Sequence, residues 1–462
     1  MKIFGSTEKV FKSLLPTPFT IALMLTVVTF ILALTLTTSE TTGFSRIIEV
    51  MGFWEQGLWE NNLLVFAVQM MLMLVLGHAL ALTKQADKIM SYATRYCTST
   101  AKAAAVVTLL TILVSLFNWG LGLIFGAILA RKVGEHALRT NMKLNYALIG
   151  AAGYSGLMVW HGGISGMAPI KAAEQGHIPA LMKGIVSPEQ LSKYPDSVSF
   201  SETIFSPMNL FAICLLVIIL PAFMFWLGKC SKKETALPKS VEEHVEIEES
   251  PIGAEKLDRS RIFSLFFGSV FIAYAAYIAV ESFGEKGLSF INPNFINLLL
   301  LGLCLALHKN IIAFLKAVDT AIGGSAGILI QFPLYFGIMG IMKYSGLVNE
   351  FSDFFVQISN ETTFPIFTFI SAGFVNIFVP SGGGQWGVQG PVILQAAMDL
   401  GVSLPKAIMA LAYGDQLTNM LQPFWALPLL GITGLKAKNI IPYTIALMGV
   451  GMIIFILTLL IF

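Results

Sequence analysis

The sequence predicts an all-α polytopic membrane protein with about nine transmembrane helices plus two re-entrant hairpins in inverted repeats. Of its 462 residues, 55% are hydrophobic and only 12% are charged, and the mean hydropathy of +0.75 lies far above the soluble range. Many apolar runs approach the roughly 20 residues that cross a bilayer as one helix. Two long runs are interrupted by glycine, proline and polar residues, and lipid tolerates such a break only where protein or a watery cavity surrounds it.

The N-terminal apolar run, from about Phe19 to Leu36, is expected to be a retained first helix. Lys2, Lys9 and Lys12 precede it, as basic residues precede the apolar part of a signal peptide. The run is nevertheless long, lacks a small-residue cleavage site and is followed by many more spans. We therefore count it among the transmembrane helices.

The charge distribution divides the chain into a first transmembrane half, residues 1–228, a cytoplasmic charged linker, residues 229–261, and a second transmembrane half, residues 262–462. The linker holds seven Lys or Arg and eight Asp or Glu, including the acidic run Glu242 to Glu249, which is typical of a solvated segment. The other basic residues lie in loops between spans. A net charge of +2 therefore reflects topology, and no nucleic-acid partner is expected.

The first hairpin is predicted within residues 105–130, because basic residues flank both ends of this run and both ends favour the cytoplasm. The flanking residues are Lys84, Lys88, Arg95 and Lys102 on one side, and Arg131, Lys132, Arg139 and Lys143 on the other. A chain that enters and returns on one face, turning at Asn118, satisfies both clusters. Each arm would then have about a dozen residues, too few to span alone.

The second hairpin is predicted within residues 363–400, around the break Pro380 to Gly384. Its flanks carry Glu350, Asp353, Glu361 and Asp399 and few basic residues, so we expect it to open to the outside. Two hairpins that enter from opposite faces are what an inverted repeat predicts. An offset of 261 aligns Gly122 with Gly383, Gly126 with Gly387, Ala151 with Ala412 and Gly153 with Gly414, although glycines at this spacing also serve ordinary helix packing.

The glycine-rich segment from Asn376 to Pro391 is the first candidate site. Consecutive glycines let backbone N–H groups face a cavity, and a helix beginning near Gln385 adds the positive end of its dipole, which suits a carboxylate. The alternative is that the glycines only permit close helix packing. Asn118 is the counterpart at the other turn, with a local cap as its alternative. The predicted substrate-binding residues are Asn118, Ser381, Gly382, Gly383, Gly384, Gln385, Gln389 and Gln422.

The segment from Ala412 to Trp425 is the second candidate site, because it places a carboxylate and several amides in an apolar span. Asp415 either serves coupling or substrate binding, or is neutral and bonded to a neighbouring helix, or caps a helix after Gly414. The predicted coupling-ion residues are Asp415, Asn376, Thr418 and Asn419. Proton coupling would use Asp415, whereas sodium coupling would use carbonyls at the hairpin breaks with Asn118 or the polar side chains of this set.

The equivalent stretch of the first half, from Gly153 to Pro169, has Ser155, His161 and Ser165 but no carboxylate. We expect His161 to be interfacial. The sequence has no P-loop, no metal-spaced cluster of His and Glu and no nucleophile elbow. We therefore expect no enzyme, no catalytic residues, no metal site and no cofactor.

The segments FVNIFVPSGGGQWGVQGP, ALAYGDQLTNMLQPFWALPLLGITG and SLFNWGLGLIFGAI resemble the bacterial short-chain fatty acid transporter family, within a superfamily of anion carriers. The resemblance extends over essentially the whole chain. It implies a multi-pass carrier of the bacterial inner membrane for butyrate-like monocarboxylates, working as a homodimer within the lipid bilayer. Trp386, Phe424 and Trp425 would then surround the apolar tail of the substrate.

Together these observations favour a secondary active transporter, a symporter that takes up short-chain fatty acids such as butyrate by alternating access. The coupling ion, H⁺ or Na⁺, stays open. One alternative is a carrier for another small organic anion, such as a dicarboxylate, which a second basic residue near the site would favour. The other is a passive anion channel, with the glycine segment as its filter.

Overall fold

A computed structural model describes residues 16–183, 186–231, 253–286 and 290–462. It is 81% helical and, in the described ranges, contains no strand, which confirms the all-α prediction. Seven helices are long and apolar enough to cross a membrane, and three shorter apolar helices accompany them, Pro293–Leu307, Phe364–Phe378 and Pro423–Thr433. The count of about nine spans stays a prediction.

Proline opens many of these helices, because its fixed φ suits the first helical turn and its missing N–H is not needed there. The helices of the first half are Pro18–Leu36, Gly43–Leu58, Asn61–Ala81, Lys84–Thr94, Thr100–Phe117, Trp119–Arg139, Tyr146–Tyr154, Met167–Ala173, His177–Met182, Pro188–Leu191 and Pro207–Cys230. Those that follow are Glu255–Asp258, Arg261–Lys286, Pro293–Leu307, Ile311–Ile322, Ala326–Tyr344, Leu347–Gln357, Phe364–Phe378, Gly382–Leu400, Leu404–Thr418, Pro423–Thr433 and Ala437–Ile461.

The first hairpin consists of helices Thr100–Phe117 and Trp119–Arg139, which pack against each other and are separated only by Asn118. Asn118 has an extended backbone, and its side chain accepts the N–H of Leu121 at 2.9 Å, so it caps the second helix. The arms have 18 and 21 residues, and the expectation of a dozen was wrong. The basic flanks, with Lys102 and Arg131, continue the helices because such residues are good helix formers.

The second hairpin consists of helices Phe364–Phe378 and Gly382–Leu400. The second helix starts at Gly382, three residues earlier than the expected Gln385, because the hydroxyl of Ser381 accepts the N–H of Gly384 at 3.2 Å and caps it. The re-entrant path of both hairpins stays a prediction.

Two further helices are broken at polar segments. Helix Tyr146–Tyr154 passes into 3₁₀ turns, and we call residues 155–166 the first break. Helix Leu404–Thr418 is followed by a 3₁₀ turn before Pro423 opens the next helix, and we call residues 419–422 the second break. The two breaks lie against each other, since the Asn419 amide donates to the Leu157 carbonyl at 3.2 Å and the Tyr154 hydroxyl donates to the Asn419 carbonyl at 2.8 Å.

Parts of the predicted organisation fall outside the described residues. These are the basic residues Lys2, Lys9 and Lys12 and the acidic run Glu242 to Glu249 of the linker. Helix Pro207–Cys230 extends two residues into the predicted linker. The division into two halves and the inverted repeat stay predictions.

Candidate functional site

The tips of both hairpins meet the first break. At the first hairpin, Trp119 donates its backbone N–H to the Ser165 hydroxyl at 3.0 Å. At the second hairpin, a Cβ on Gly382 would lie 2.9 Å from Cη2 of Trp160, 3.2 Å from Cε1 of His161 and 3.3 Å from Oδ2 of Asp415. Glycine is therefore required at this position by close approach, and the tip of the second hairpin touches a buried carboxylate.

His161 and Asp415 form a buried pair. Nδ1 of His161 lies 3.6 Å from Oδ2 of Asp415, and the two side chains are 0% and 1% exposed. The backbone N–H of Ala168 donates to Nε2 of His161 at 3.0 Å, so a neutral ring carries its proton on Nδ1, facing Asp415. Neither facing atom has a hydrogen-bond partner. The interfacial expectation for His161 was wrong, because protein encloses this side chain on all sides.

The four predicted coupling-ion residues come together at the second break, and we call them the polar cluster. The Asn376 amide nitrogen lies 2.6 Å from the Asp415 carbonyl oxygen, 2.9 Å from Oγ1 of Thr418 and 3.0 Å from Oδ1 of Asn419. Thr418 in turn donates to the Gly373 carbonyl at 2.9 Å. These bonds fasten the first arm of the second hairpin to the second break.

The side-chain amides of Gln422 and Gln416 lie beside the polar cluster and bind backbone groups of the neighbouring segments. The Gln422 side chain donates to the Asn376 carbonyl, and its own Oε1 has no partner. Oε1 of Gln416 accepts the backbone N–H groups of His161 and Gly162, at 2.8 and 3.3 Å. In the described ranges, no three His, Cys, Asp or Glu side chains converge on a metal site.

A cleft of about 320 Å³ opens on the other side of the second hairpin's tip. One wall consists of Gly383, Gly384 and Gly387. The rest of the cleft includes the apolar side chains Leu63, Met339, Val348 and Val388 and the polar side chains Glu60, Lys343 and Tyr344. Gly382 faces the buried pair, while the next two residues, Gly383 and Gly384, face the cleft. A single helical turn therefore connects the buried pair with the cleft.

Packing limits the three glycines of this wall to different degrees, and it is tightest at Gly384, where a Cβ would lie 3.1 Å from Oγ of Ser381 and 3.2 Å from the methyl group of Met339. A Cβ on Gly387 would meet nothing within 4 Å, and one on Gly383 would meet only the terminal methyl of Met167, at 3.2 Å. In the first hairpin, by contrast, a Cβ on Gly122 would lie 2.0 Å from Oγ of Ser115. Close packing therefore accounts for Gly122 in the first hairpin but not for Gly387 in the wall of the cleft, and the role of the glycines in substrate binding stays a prediction.

The other predicted substrate ligands point away from the cleft. The Gln385 amide donates to the Ala372 carbonyl at 2.9 Å and to Gln389 at 2.8 Å, and Gln389 donates to Ser371 at 2.9 Å, so both glutamines tie the two arms together. Asn118 donates to the Ile291 carbonyl at 2.9 Å besides capping its helix, which agrees with the capping alternative. Their roles as substrate ligands stay predictions.

The three aromatic residues expected around a substrate tail do not lie together. Trp386 donates its indole N–H to Nε2 of His177 at 3.0 Å, away from the other two. Trp425 packs instead against Trp119, with ring centroids 5.2 Å apart, and Phe424 lies 5.0 Å from Trp425. The expectation was wrong for Trp386, because its helix turns it toward the segment that contains His177.

Sequence reasoning missed Lys343 and the pairing of His161 with Asp415. Lys343 lies in the last turn of helix Ala326–Tyr344, outside both hairpins, so no local signal connected it with the glycine wall. The offset of 261 aligns the segment of His161 with the segment of Asp415. This alignment did not predict that the two side chains would be in contact.

The chain is similar to known proteins over nearly its whole length. The model of the family described as "Short chain fatty acid transporter" matches residues 3–462. A protein of Escherichia coli K12 named "Putative short-chain fatty acid transporter" is 36% identical over 97% of this chain and 96% of its own length. A protein of the same name from Haemophilus influenzae Rd is 35% identical over 93% of this chain and 92% of its own.

Among solved structures, the YdaH transporter of Alcanivorax borkumensis aligns over 95% of this chain and 97% of its own, at 13% identity and a TM-score of 0.41. The family and the curated relatives are transporters rather than enzymes. The chain is a multi-pass membrane protein that belongs to the short-chain fatty acid transporter family.

Proposed function

We propose that the protein is a symporter that takes up short-chain fatty acids such as butyrate across the bacterial inner membrane. The observation that carries this proposal is the cleft beside the second hairpin, where glycine amides and a lysine face apolar side chains. A short monocarboxylate needs these two surfaces, one for its charge and one for its tail.

The carboxylate binds at the glycine wall. The first N–H groups of a helix have no carbonyl partner within that helix, and the helix dipole adds partial positive charge at the same end. In helix Gly382–Leu400 the Ser381 hydroxyl takes the N–H of Gly384, which leaves the N–H of Gly383, the first glycine of the wall, for an anion. Lys343 at the cleft adds a positive charge.

The apolar tail lies against Leu63, Met339, Val348 and Val388. A volume of about 320 Å³ is at the small end of ligand pockets, which span roughly 300–1,000 Å³. The cleft therefore suits a chain of a few carbons. Ser381, Gln385 and Gln389 hold the shape of the glycine wall through their bonds within the second hairpin.

The chemistry of the cleft favours a monocarboxylate over a dicarboxylate. Among the described residues that line it, Lys343 is the single cation, and Glu60 places an acidic group in the same cleft. A second carboxylate on the substrate would meet Glu60 rather than a second cation, and like charges at close range repel.

Transport is coupled to a cation taken up at the polar cluster, and alternating access follows from movement of the second hairpin relative to the rest of the protein. Contact of Gly382 with Asp415 connects the cluster with the hairpin. The protein works as a homodimer in the bilayer, which rests on the family resemblance.

Counterflow in proteoliposomes tests the proposal. Vesicles preloaded with unlabelled butyrate take up labelled butyrate at about pH 8, where nearly all of the acid is ionised and leak through lipid is least. We expect faster exchange than in protein-free vesicles, competition by propionate and weak competition by succinate. Exchange at the protein-free rate contradicts transport, equal competition by succinate contradicts the monocarboxylate assignment, and equilibration without transient accumulation of label supports a channel.

The variant Gly383→Leu fills the cleft and should abolish the exchange. The control is Gly449→Leu. A Cβ on Gly449 meets nothing within 4 Å, and Gly449 lies in helix Ala437–Ile461, far along the chain from the glycine wall. Full exchange by Gly383→Leu would remove the glycine wall from the site.

A further inference from the structure

We propose that His161 and Asp415 together form a proton site, and that each butyrate anion binds with one proton held there. The inference rests on the proposed function and deepens it, because it names the coupling ion and adds His161 as a positioning residue. The pair lies outside the cleft, and the carboxylate-binding surface described above does not use it.

The hydrogen bonds around the pair locate the proton. Nε2 of His161 accepts the N–H of Ala168. A proton on Nε2 would turn this atom into a donor that faces the N–H of Ala168, which is also a donor. The ring therefore stays neutral, with Nδ1–H directed at Asp415. An ionised Asp415 would accept this N–H at hydrogen-bond distance, whereas a protonated Asp415 presents a second donor. The separation of 3.6 Å, with no partner on either atom, fits the protonated carboxyl group.

The surroundings hold no other charge for the carboxylate. Among the described residues, the neutral ring of His161 is the only basic side chain within 4 Å of the Asp415 carboxyl oxygens. Two buried phenols have other partners: Tyr413, two residues before Asp415, donates to Oδ1 of Asn209 at 3.0 Å, and Tyr154, at the end of the helix before the first break, donates to the Asn419 carbonyl at 2.8 Å. A buried carboxylate without a partner is strongly disfavoured, so a proton stabilises Asp415 in this conformation.

The polar cluster offers neutral oxygens, whereas the carboxyl group of Asp415 lies against His161. The oxygens of Thr418 and Asn419 and the Asp415 carbonyl accept from the amide nitrogen of Asn376, while Oδ1 of Asn376 and Oε1 of Gln422 have no partner. We place the coupling proton on the one ionisable group of the cluster, Asp415, and a Kd that depends on sodium would assign the unpartnered oxygens to Na⁺ instead.

Gly382 connects the proton to the substrate. A Cβ on Gly382 would lie 3.2 Å from Cε1 of His161 and 3.3 Å from Oδ2 of Asp415, and the next two residues, Gly383 and Gly384, belong to the glycine wall. An ionised Asp415 at this distance would repel a carboxylate bound to the amides of the same turn, whereas a protonated Asp415 would not. Binding of the anion and binding of the proton should therefore favour each other.

Butyrate binding to the purified protein in detergent, measured by calorimetry from about pH 6 to about pH 9, tests the inference. Two buffers with different ionisation enthalpies report the protons taken up. For the wild type we expect the Kd to rise about tenfold per pH unit at the alkaline end, with uptake of about one proton per butyrate. In Asp415→Asn, a neutral group of similar shape, the Kd should stay low and independent of pH, with no proton uptake.

His161→Phe keeps the ring stacked on Trp160, whose centroid lies 4.3 Å from that of His161, but removes the N–H that stabilises the ionised carboxylate. The alkaline rise of the Kd should therefore begin at higher pH in this variant. This shift separates a positioning role from a general loss of structure, and it tests the inference if Asp415→Asn does not fold.

Three results would overturn the inference. A wild-type Kd that does not change with pH excludes a linked proton. A pH slope that survives in Asp415→Asn means that the protein binds the neutral acid, and a Kd that depends on sodium but not on pH moves coupling to another cation. In each case butyrate still binds, and the proposed function stands; absence of butyrate binding at every pH contradicts the proposed function instead.

Discussion

Gly126 and Gly153 are in direct contact: a Cβ on Gly126 would lie 2.1 Å from the carbonyl oxygen of Gly153. The offset of 261 aligns these residues with Gly387 and Gly414, which behave differently. Gly387 faces the cleft, and a Cβ on Gly414 would lie 2.1 Å from the carbonyl oxygen of Phe369. The second arm of the first hairpin is thus packed against its broken helix, whereas the corresponding surface of the second hairpin is open.

This difference predicts opposite effects of the same substitution. Gly126→Ala should destabilise the protein by about 1–3 kcal/mol, because backbone has to move to admit a methyl group. Gly387→Ala should leave stability unchanged or raise it by up to about 1 kcal/mol, since alanine favours a helix, and should weaken butyrate binding. Thermal unfolding of both variants in detergent measures the contrast. Equal losses of stability would mean that the cleft is closed in the native protein.

Lys343→Met should weaken butyrate binding about two- to fivefold at low salt, because an exposed charge contributes up to about 1 kcal/mol. The difference from wild type should shrink in about 1 M salt, where the screening length falls to about 3 Å. Lys309→Met is the control, because Lys309 is also exposed but does not line the cleft. A loss that persists in high salt would indicate a structural role for Lys343.

Met339→Ala should shift the preference of the cleft toward longer fatty acids. Met339 lies in the apolar wall, with its methyl group 3.2 Å from where a Cβ on Gly384 would stand. Each added methylene that the enlarged cleft buries contributes up to about 0.8 kcal/mol, or about fourfold in affinity. Competition by hexanoate against labelled butyrate measures the shift. An unchanged order of preference would place the tail elsewhere.

His177 should make the second hairpin sensitive to acid. It lies in a short helix, His177–Met182, outside the candidate spans, and its Nε2 accepts the indole N–H of Trp386. Burial lowers the pKa of His177 below its ordinary value of 6.5, an effect that Glu174 opposes and Lys171 reinforces. The neutral ring is therefore favoured in the folded protein, and its contribution to stability is complete above about pH 6.5 and is lost as the pH falls through the lowered pKa.

Melting temperatures from about pH 7.5 to about pH 5 check this expectation. The wild type should lose stability relative to His177→Gln, whose amide oxygen can accept the indole N–H without titrating. His136→Gln serves as the control at the end of the first hairpin. Parallel curves for wild type and His177→Gln would show that the bond to Trp386 does not contribute.

Much of the architecture was predictable because it depends on local composition. Apolar runs and their basic flanks indicated a membrane protein with a turn at Asn118, and the cluster of Pro380, Ser381 and three glycines marked the second turn. The predicted arms of the first hairpin were too short. The charge argument places the flanking Lys and Arg residues in loops, but these residues are also good helix formers and extend both helices.

The sequence by itself determined the class of the protein, its family and the polar segments at which helices break. These properties follow from hydrophobicity, charge and residue types along short stretches of chain. Tertiary structure alone decided that His161 meets Asp415, that Lys343 joins the glycine wall, and that Gln385 and Gln389 face each other instead of the cleft. Such contacts depend on how helices distant in sequence rotate and pack, and periodicity within one helix does not specify its partners.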